Sequence, residues 1–211
     1  MEVNMKFALI GFMQKDILNP AFLGIAPSTY FVSEVQDYIS HQMTEENGYL
    51  NVLYTVISNG RNEAEYSKSA FSSNVTDPFC IENTEGYNVE LDLTKQAPIP
   101  RYYLKTSSFD IFNETLEIMP YRVDGEFIAH TRGTQPSFAT VLKQNVQMGF
   151  MGYEILGAWT KESLISTVRK MLERGAYVDI KTDLIACDED WKSDLEENCM
   201  NFIQIGQLGF K

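Results

Sequence analysis

The sequence predicts an α+β domain with a mixed or mostly antiparallel sheet and about four helices. Three observations carry that expectation. Strand patterns crowd the middle of the chain, where Tyr87, Val89, Leu91 and Leu93 alternate with Asn88, Glu90 and Asp92. Asp124-Gly125, set between two apolar runs, is a favoured two-residue hairpin loop. Helical patterns lie toward both ends, and the stretch from Gly152 to Lys211 reads as a β-α-β-α-β unit. Strands and helices segregated in this way favour α+β over a doubly wound sheet.

Taken in order, Lys6 to Phe12 reads as a buried strand. It looks like the opening strand of a dinucleotide-binding fold, but Phe12, Met13, Gln14 and Lys15 follow Gly11 where further glycines would have to cradle a pyrophosphate. Pro27-Ser28-Thr29 opens a helix over roughly Thr29 to Glu46, with Phe31, Val35, Tyr38, Ile39 and Met43 inward and His41 off the stripe. Tyr49 to Ser58 is apolar on both faces, as a central strand is. A strand over Tyr87 to Leu93 comes next, and Pro98 and Pro100 break the chain before Arg101 to Leu104. Thr115 to Val123 and Glu126 to Arg132 form the hairpin, with Pro120 confining its first strand to an edge. Phe138 to Met148 is a third helix.

The helix from Thr160 to Arg174 has the fullest set of signals. Leu164, Ile165, Val168, Met171 and Leu172 recur at the helical period. Thr160 is placed to cap, Glu162 lies in the first turn, and Arg169, Lys170 and Arg174 oppose the dipole in the last. Gly175 stands where a left-handed residue ends a helix. Asp188 is expected to cap a fourth helix, and Asn201 to Ile205 to close the chain as a strand.

The 211 residues contain 44% hydrophobic and 12% aromatic side chains, enough for a single globular domain over 1–211. The apolar run Phe7 to Met13 is too short to span a bilayer, which takes about 20 residues, and a charged stretch follows it before any cleavage signal. Cys80, Cys187 and Cys199 are too few for a disulfide framework, so a cytoplasmic protein is expected. With 17 basic against 29 acidic side chains, the net charge of −12 argues against a broad nucleic-acid surface. It fits ordinary solubility first and a basic protein partner second.

Several constellations could carry chemistry. Asp179-Ile180-Lys181 puts a carboxylate and an ammonium on one side of a strand, and resembles the acid-x-Lys element of one large nuclease superfamily. That resemblance implies a magnesium or manganese site, with Glu154 as the further ligand. His130-Thr131-Arg132-Gly133-Thr134 resembles the Arg-containing segment of arginine-type ADP-ribosyltransferases, without their downstream acidic motif. Arg169 to Ala176 is similar to the second helix of an ankyrin repeat, but occurs once. Residues 188–197 hold six acids and one lysine, in a spacing that does not match a calcium loop.

With no complete catalytic set, the sequence favours a non-enzymatic acidic protein that binds another protein and carries no cofactor. Its expected docking face is Asp188, Asp190, Trp191, Asp194, Glu196 and Glu197. The alternative is a metal-dependent nuclease or phosphodiesterase using Asp179, Lys181 and Glu154.

Overall fold

A computed structural model describes residues 5–19, 27–62, 65, 78–96, 98–106, 110–112, 114–119, 121–123, 126–128, 136–150 and 152–211. The chain begins with β1 (Lys6–Ile10), α1 (Phe31–Gln42) and β2 (Tyr49–Ile57), then β3 (Arg101–Thr106) and β4 (Leu116–Met119). A short ribbon follows, β5 (Tyr121–Val123) and β6 (Glu126–Ile128), and then α2 (Phe138–Gln147). The remainder is β7 (Gly152–Ala158), α3 (Lys161–Leu172), β8 (Tyr177–Ala186), α4 (Trp191–Gln204) and β9 (Leu208–Phe210).

The main sheet has seven strands in the order β4-β3-β2-β1-β7-β8-β9. Every pairing in it is parallel except β3 with β4. The expected α+β class with a mostly antiparallel sheet is therefore corrected to a doubly wound α/β sheet. The physical reason lies in the middle of the chain. The alternating stretch from Tyr87 forms no strand; it makes two short 3₁₀ turns, Glu85–Tyr87 and Leu93–Lys95. Its backbone is spent on the loop after β1, with Lys15 N donating to Asn88 O and Glu90 N to Met13 O. The hairpin splits as well: β4 joins the main sheet, while β5 and β6 pair only with each other, and the Asp124-Gly125 loop lies outside the described residues. Strand and helix alternate from β1 through α1 to β2 and again from α2 to β9, and parallel strands require such crossovers.

Successive side chains of β7 sort the layers. Tyr153 points toward α2, where Asn145 Nδ2 donates to its hydroxyl at 2.9 Å. Glu154 points the opposite way and meets Tyr38 of α1. The end of α3 reaches the α2 side, where Gly175, with φ +90, abuts Val146. On α3, the side chain of Thr160 accepts from Ser163 N, and Leu164, Val168, Met171 and Leu172 are buried. The last strand comes later than expected, because Asn201 to Gln204 continue α4 past a kink at Cys199. Among the described residues, no helix is long and apolar enough to cross a membrane.

Candidate active site at the carboxyl edge of the sheet

The chain leaves β1 toward β2, β3 and β4, then returns after α2 to build β7, β8 and β9 on the other side. β1 and β7 therefore flank the point where strand order reverses. In open α/β sheets, ligands lie outside the carboxyl ends of the strands at this point.

Here that point is closed. Gly11 N donates to Leu156 O at 2.7 Å and Phe12 N to Ala158 O at 2.8 Å, so the two strand ends are drawn tightly together. Gly157, at φ +97, marks a shift in register against β8, and a Cβ there would stand 2.6 Å from Gly11 N. A Cβ on Gly11 would overlap the indole of Trp159. Phe12 and Trp159 are fully buried and meet edge to face with centroids 5.5 Å apart. Trp159 Nε1 donates to Leu156 O at 3.0 Å, which satisfies its one polar atom.

The polar groups stand one and two strands away. Ser58 follows β2 directly, Lys105 is the penultimate residue of β3, and Glu82 comes from the segment between those strands. Ser58 Oγ donates to Glu82 Oε1 at 2.6 Å, and Lys105 Nζ lies 2.6 Å from the same oxygen. The Lys105 ammonium, and after it the Ser58 hydroxyl, hold the Glu82 carboxyl below its ordinary value. In return Glu82 raises Lys105 above the usual lysine range. Backbone bonds fix the group: Ser58 N donates to Thr106 O at 2.8 Å, and Glu82 N to Gly60 O at 2.9 Å.

Neighbouring buried groups brace this edge. Gln14 accepts from Ile57 N at 2.6 Å and donates to Ile57 O and Tyr87 O, tying the loop after β1 to the end of β2. Asn59 is almost wholly buried; its Nδ2 donates to Phe79 O, while its Oδ1 has no partner. Cys80 is buried at φ 50 with its amide on Asp16 Oδ2. Burial, and secondarily Asp16, push its thiol well up, so it is no thiolate nucleophile at neutral pH. Across the switch point, Ser163 is buried on the first turn of α3.

No family model and no curated protein matches the sequence. Solved structures of the same fold do match over nearly its whole length. A pyrazinamidase of Pyrococcus horikoshii, in complex with zinc, is 18% identical with a TM-score of 0.58, each chain covered to 98%. An N-carbamoylsarcosine amidase from Thermoplasma acidophilum is 13% identical with a TM-score of 0.59, over 98% of this chain and 95% of that one. An isochorismatase family protein from Desulfovibrio vulgaris is 14% identical with a TM-score of 0.57, over 98% and 93%. The fold is isochorismatase-like α/β. Its neighbours are hydrolases, which overturns the expectation of a non-enzymatic interaction protein. The zinc belongs to the Pyrococcus protein; among the described residues of this chain, no three His, Cys, Asp or Glu side chains converge to hold a metal.

The structure places the residues of the expected acidic face unequally. Trp191 is buried and packs against Phe210 at 6.4 Å, so it contributes to the core. Asp194 is taken by Lys161 at 2.8 Å. Asp188, Asp190, Glu196 and Glu197 are exposed, as a solvated helix face requires.

The nuclease alternative fails on chemistry. Glu154 and Lys181 do meet, at 3.6 Å, but Glu154 is buried and also faces Lys6 at 3.4 Å. Tyr38 donates to it at 2.8 Å, and Tyr49 donates as well. Asp179 is turned to Lys211. Two ammoniums and two phenols occupy the carboxylate that magnesium or manganese would need. Residues 130–134 lie outside the described residues. Ser58, Glu82 and Lys105 escaped sequence reasoning because they are dispersed over three segments. The available signal was Ser58, a hydroxyl directly after a strand whose last two residues, Val56 and Ile57, are apolar and buried.

Proposed function

We propose that the chain is a one-domain cytoplasmic hydrolase that cleaves the C–N bond of a small carboxamide at the carboxyl ends of β2 and β3. The observation that carries this reading is the Ser58–Glu82–Lys105 arrangement: a hydroxyl on a carboxylate that is itself held by a third group. It stands at the edge where parallel sheets bind ligands, on a fold whose named neighbours include a pyrazinamidase and an N-carbamoylsarcosine amidase.

In this reading Ser58 Oγ attacks the carbonyl carbon and Glu82 takes its proton. The Lys105 ammonium stabilises the oxyanion, and the amine leaves with the proton from Glu82. Water then enters by the reverse steps and frees Ser58. A carboxyl held below its ordinary value is a weak base, so turnover is slow.

Ammonia release from pyrazinamide and other small primary carboxamides tests the proposal. Turnover by the native protein that is lost in both Ser58→Ala and Lys105→Ala is the expected result. Equal release by native protein and both variants, or none by any of them, would refute it.

A further inference from the structure

The outward face of α3 carries a groove of about 550 Å³, lined along the helix by Glu162, Ile165, Ser166, Arg169, Lys170 and Glu173. At 3.6 residues per turn, Glu162, Ile165, Ser166, Arg169 and Glu173 fall in one stripe down the helix. Glu162, Arg169 and Glu173 are exposed, and Ile165 and Ser166 are half-buried.

The flanks of this stripe are already tied within the chain. Lys161 pairs with Asp194 of α4 at 2.8 Å. Lys170, half a turn round the helix from Lys161, pairs with Asp110 at 2.8 Å. The stripe between them is not tied. The Glu162 carboxylate accepts no hydrogen bond and joins no ion pair among the described residues, which include the whole of α3, β8 and α4. Arg169 donates from Nε to Glu173 Oε1 at 2.8 Å, and its two terminal nitrogens donate to nothing among the described residues.

With a net charge of −12, two copies of this chain repel each other over most of their surface. The groove is balanced instead: its ionised side chains are two acids, Glu162 and Glu173, and two bases, Arg169 and Lys170. Their order along the helix is also self-complementary. In an isologous contact between antiparallel helices, each residue faces one equally far beyond the two-fold axis. With the axis between Ile165 and Ser166, Glu162 of each copy faces Arg169 of the other. Ile165 and Ser166 then meet at the axis, where packed helices approach to about 8–10 Å.

We propose that this face is the interface between two copies of the chain, with α3 packed antiparallel on α3 and the Glu162–Arg169 contact made twice. One helix face buries less than the roughly 1,600 Å² of a standard interface, so the dimer is weak and reversible. Its ion pairs are exposed at the rim, so added salt weakens it further.

Analytical ultracentrifugation of the intact protein from about 10 µM to about 1 mM tests the proposal. A monomer–dimer equilibrium that weakens with salt is expected. Arg169→Glu sets like charges against each other at both contacts and should weaken dimerisation about tenfold or more, and Glu162→Arg should do the same. The double variant exchanges the two charges and should recover most of the native affinity. Glu162 and Arg169 stand about 10 Å apart along one helix, so that recovery reads a contact between copies. Arg169→Glu also loses its exposed bond to Glu173, which costs little stability, and circular dichroism checks that the helix remains. A protein that stays monomeric throughout, a dimer indifferent to both single reversals, or a double variant as weak as the single ones overturns the proposal. Ser58, Glu82 and Lys105 take no part in this contact, so failure of the hydrolase reading leaves it standing.

Discussion

Two lysine–carboxylate clusters lie at opposite ends of the same sheet, and they differ in what is left over. Glu154, with its side chain 2% exposed, receives Tyr38, Tyr49, Lys6 and Lys181. Lys6 also stands over the Tyr49 ring at 4.1 Å and Lys181 over the Tyr38 ring at 5.0 Å. Glu82 is 22% exposed and, among the described residues, receives Ser58 and Lys105 on the same oxygen. The first carboxylate is saturated and joins α1 to three strands; the second retains lone pairs and solvent. Saturation makes a structural tie, and residual capacity at the carboxyl edge leaves room for chemistry.

Removing Glu154 should have the largest effect. Glu154→Ala leaves two lysines and two phenols facing each other without their common acceptor, and breaking such a buried cluster costs about 3–5 kcal/mol. Chemical denaturation should show a loss of that size, with the carboxamide-hydrolysing activity of the folded fraction intact. A loss below about 1 kcal/mol would mean that the two clusters are not different in kind.

Glu82→Gln should do the reverse. It preserves the shape but not the charge, and removal of a general base typically costs about 10²-fold or more in rate. Stability should change by no more than about 1 kcal/mol, because the pair is partly solvated. The pH dependence of the native protein follows from the same pair. Glu82 must be ionised, and its value lies below the ordinary 4.5, so activity should fall only as the pH drops below that. Lys105 must be protonated, and its value lies above 10.5, so the alkaline limb lies above that. The same groups contribute stability that is present between these limits and lost outside them: Glu82 as the pH falls through its folded value, Lys105 as it rises through its own. A rate that changes steeply between pH 6 and 8 would assign the chemistry to another group.

Within the saturated cluster the individual donors should count for less. Tyr38→Phe removes one hydroxyl from a carboxylate that keeps three other partners, so about 1–2 kcal/mol is expected. Burial, and after it the Glu154 carboxylate, raise the Tyr38 phenol, so this effect should be constant from pH 6 to 9.

What the sequence reveals differs between these regions for a physical reason. Local signals resolve local structure: Thr160, the stripe through Leu164 and Val168, and Gly175 all belong to one helix, and α3 is where they place it. Asp179 and Lys181 share a strand face, and the pairing of Lys181 with Glu154 could be anticipated from that alternation. Strand order could not, because the move from β1 to β7 spans over 140 residues and no local rule records it. The stretch from Tyr87 to Leu93 alternates as a strand should, yet tertiary bonds to Met13 and Lys15 override the pattern. Ser58, Glu82 and Lys105 become neighbours only once β2 and β3 are known to be parallel.

The smallest effect should come from the most conspicuous feature of the sequence. The acidic run at 188–197 looks like a surface built for a partner, yet its two large apolar side chains, Trp191 and Leu195, are turned inward. Its ion pair is the half-exposed Lys161–Asp194 contact. Such pairs lose in side-chain freedom and solvent screening most of what they gain from attraction. Asp194→Ala should therefore leave the melting temperature unchanged, and raising the salt concentration should not separate the variant from the native protein. Trp191→Ala, by contrast, opens a cavity beside Phe210 and should cost about 3–5 kcal/mol. If the charge mattered more than the ring, α4 would be held by its surface; the burial of Trp191, Leu195 and Cys199 makes it an element held by its core-facing side.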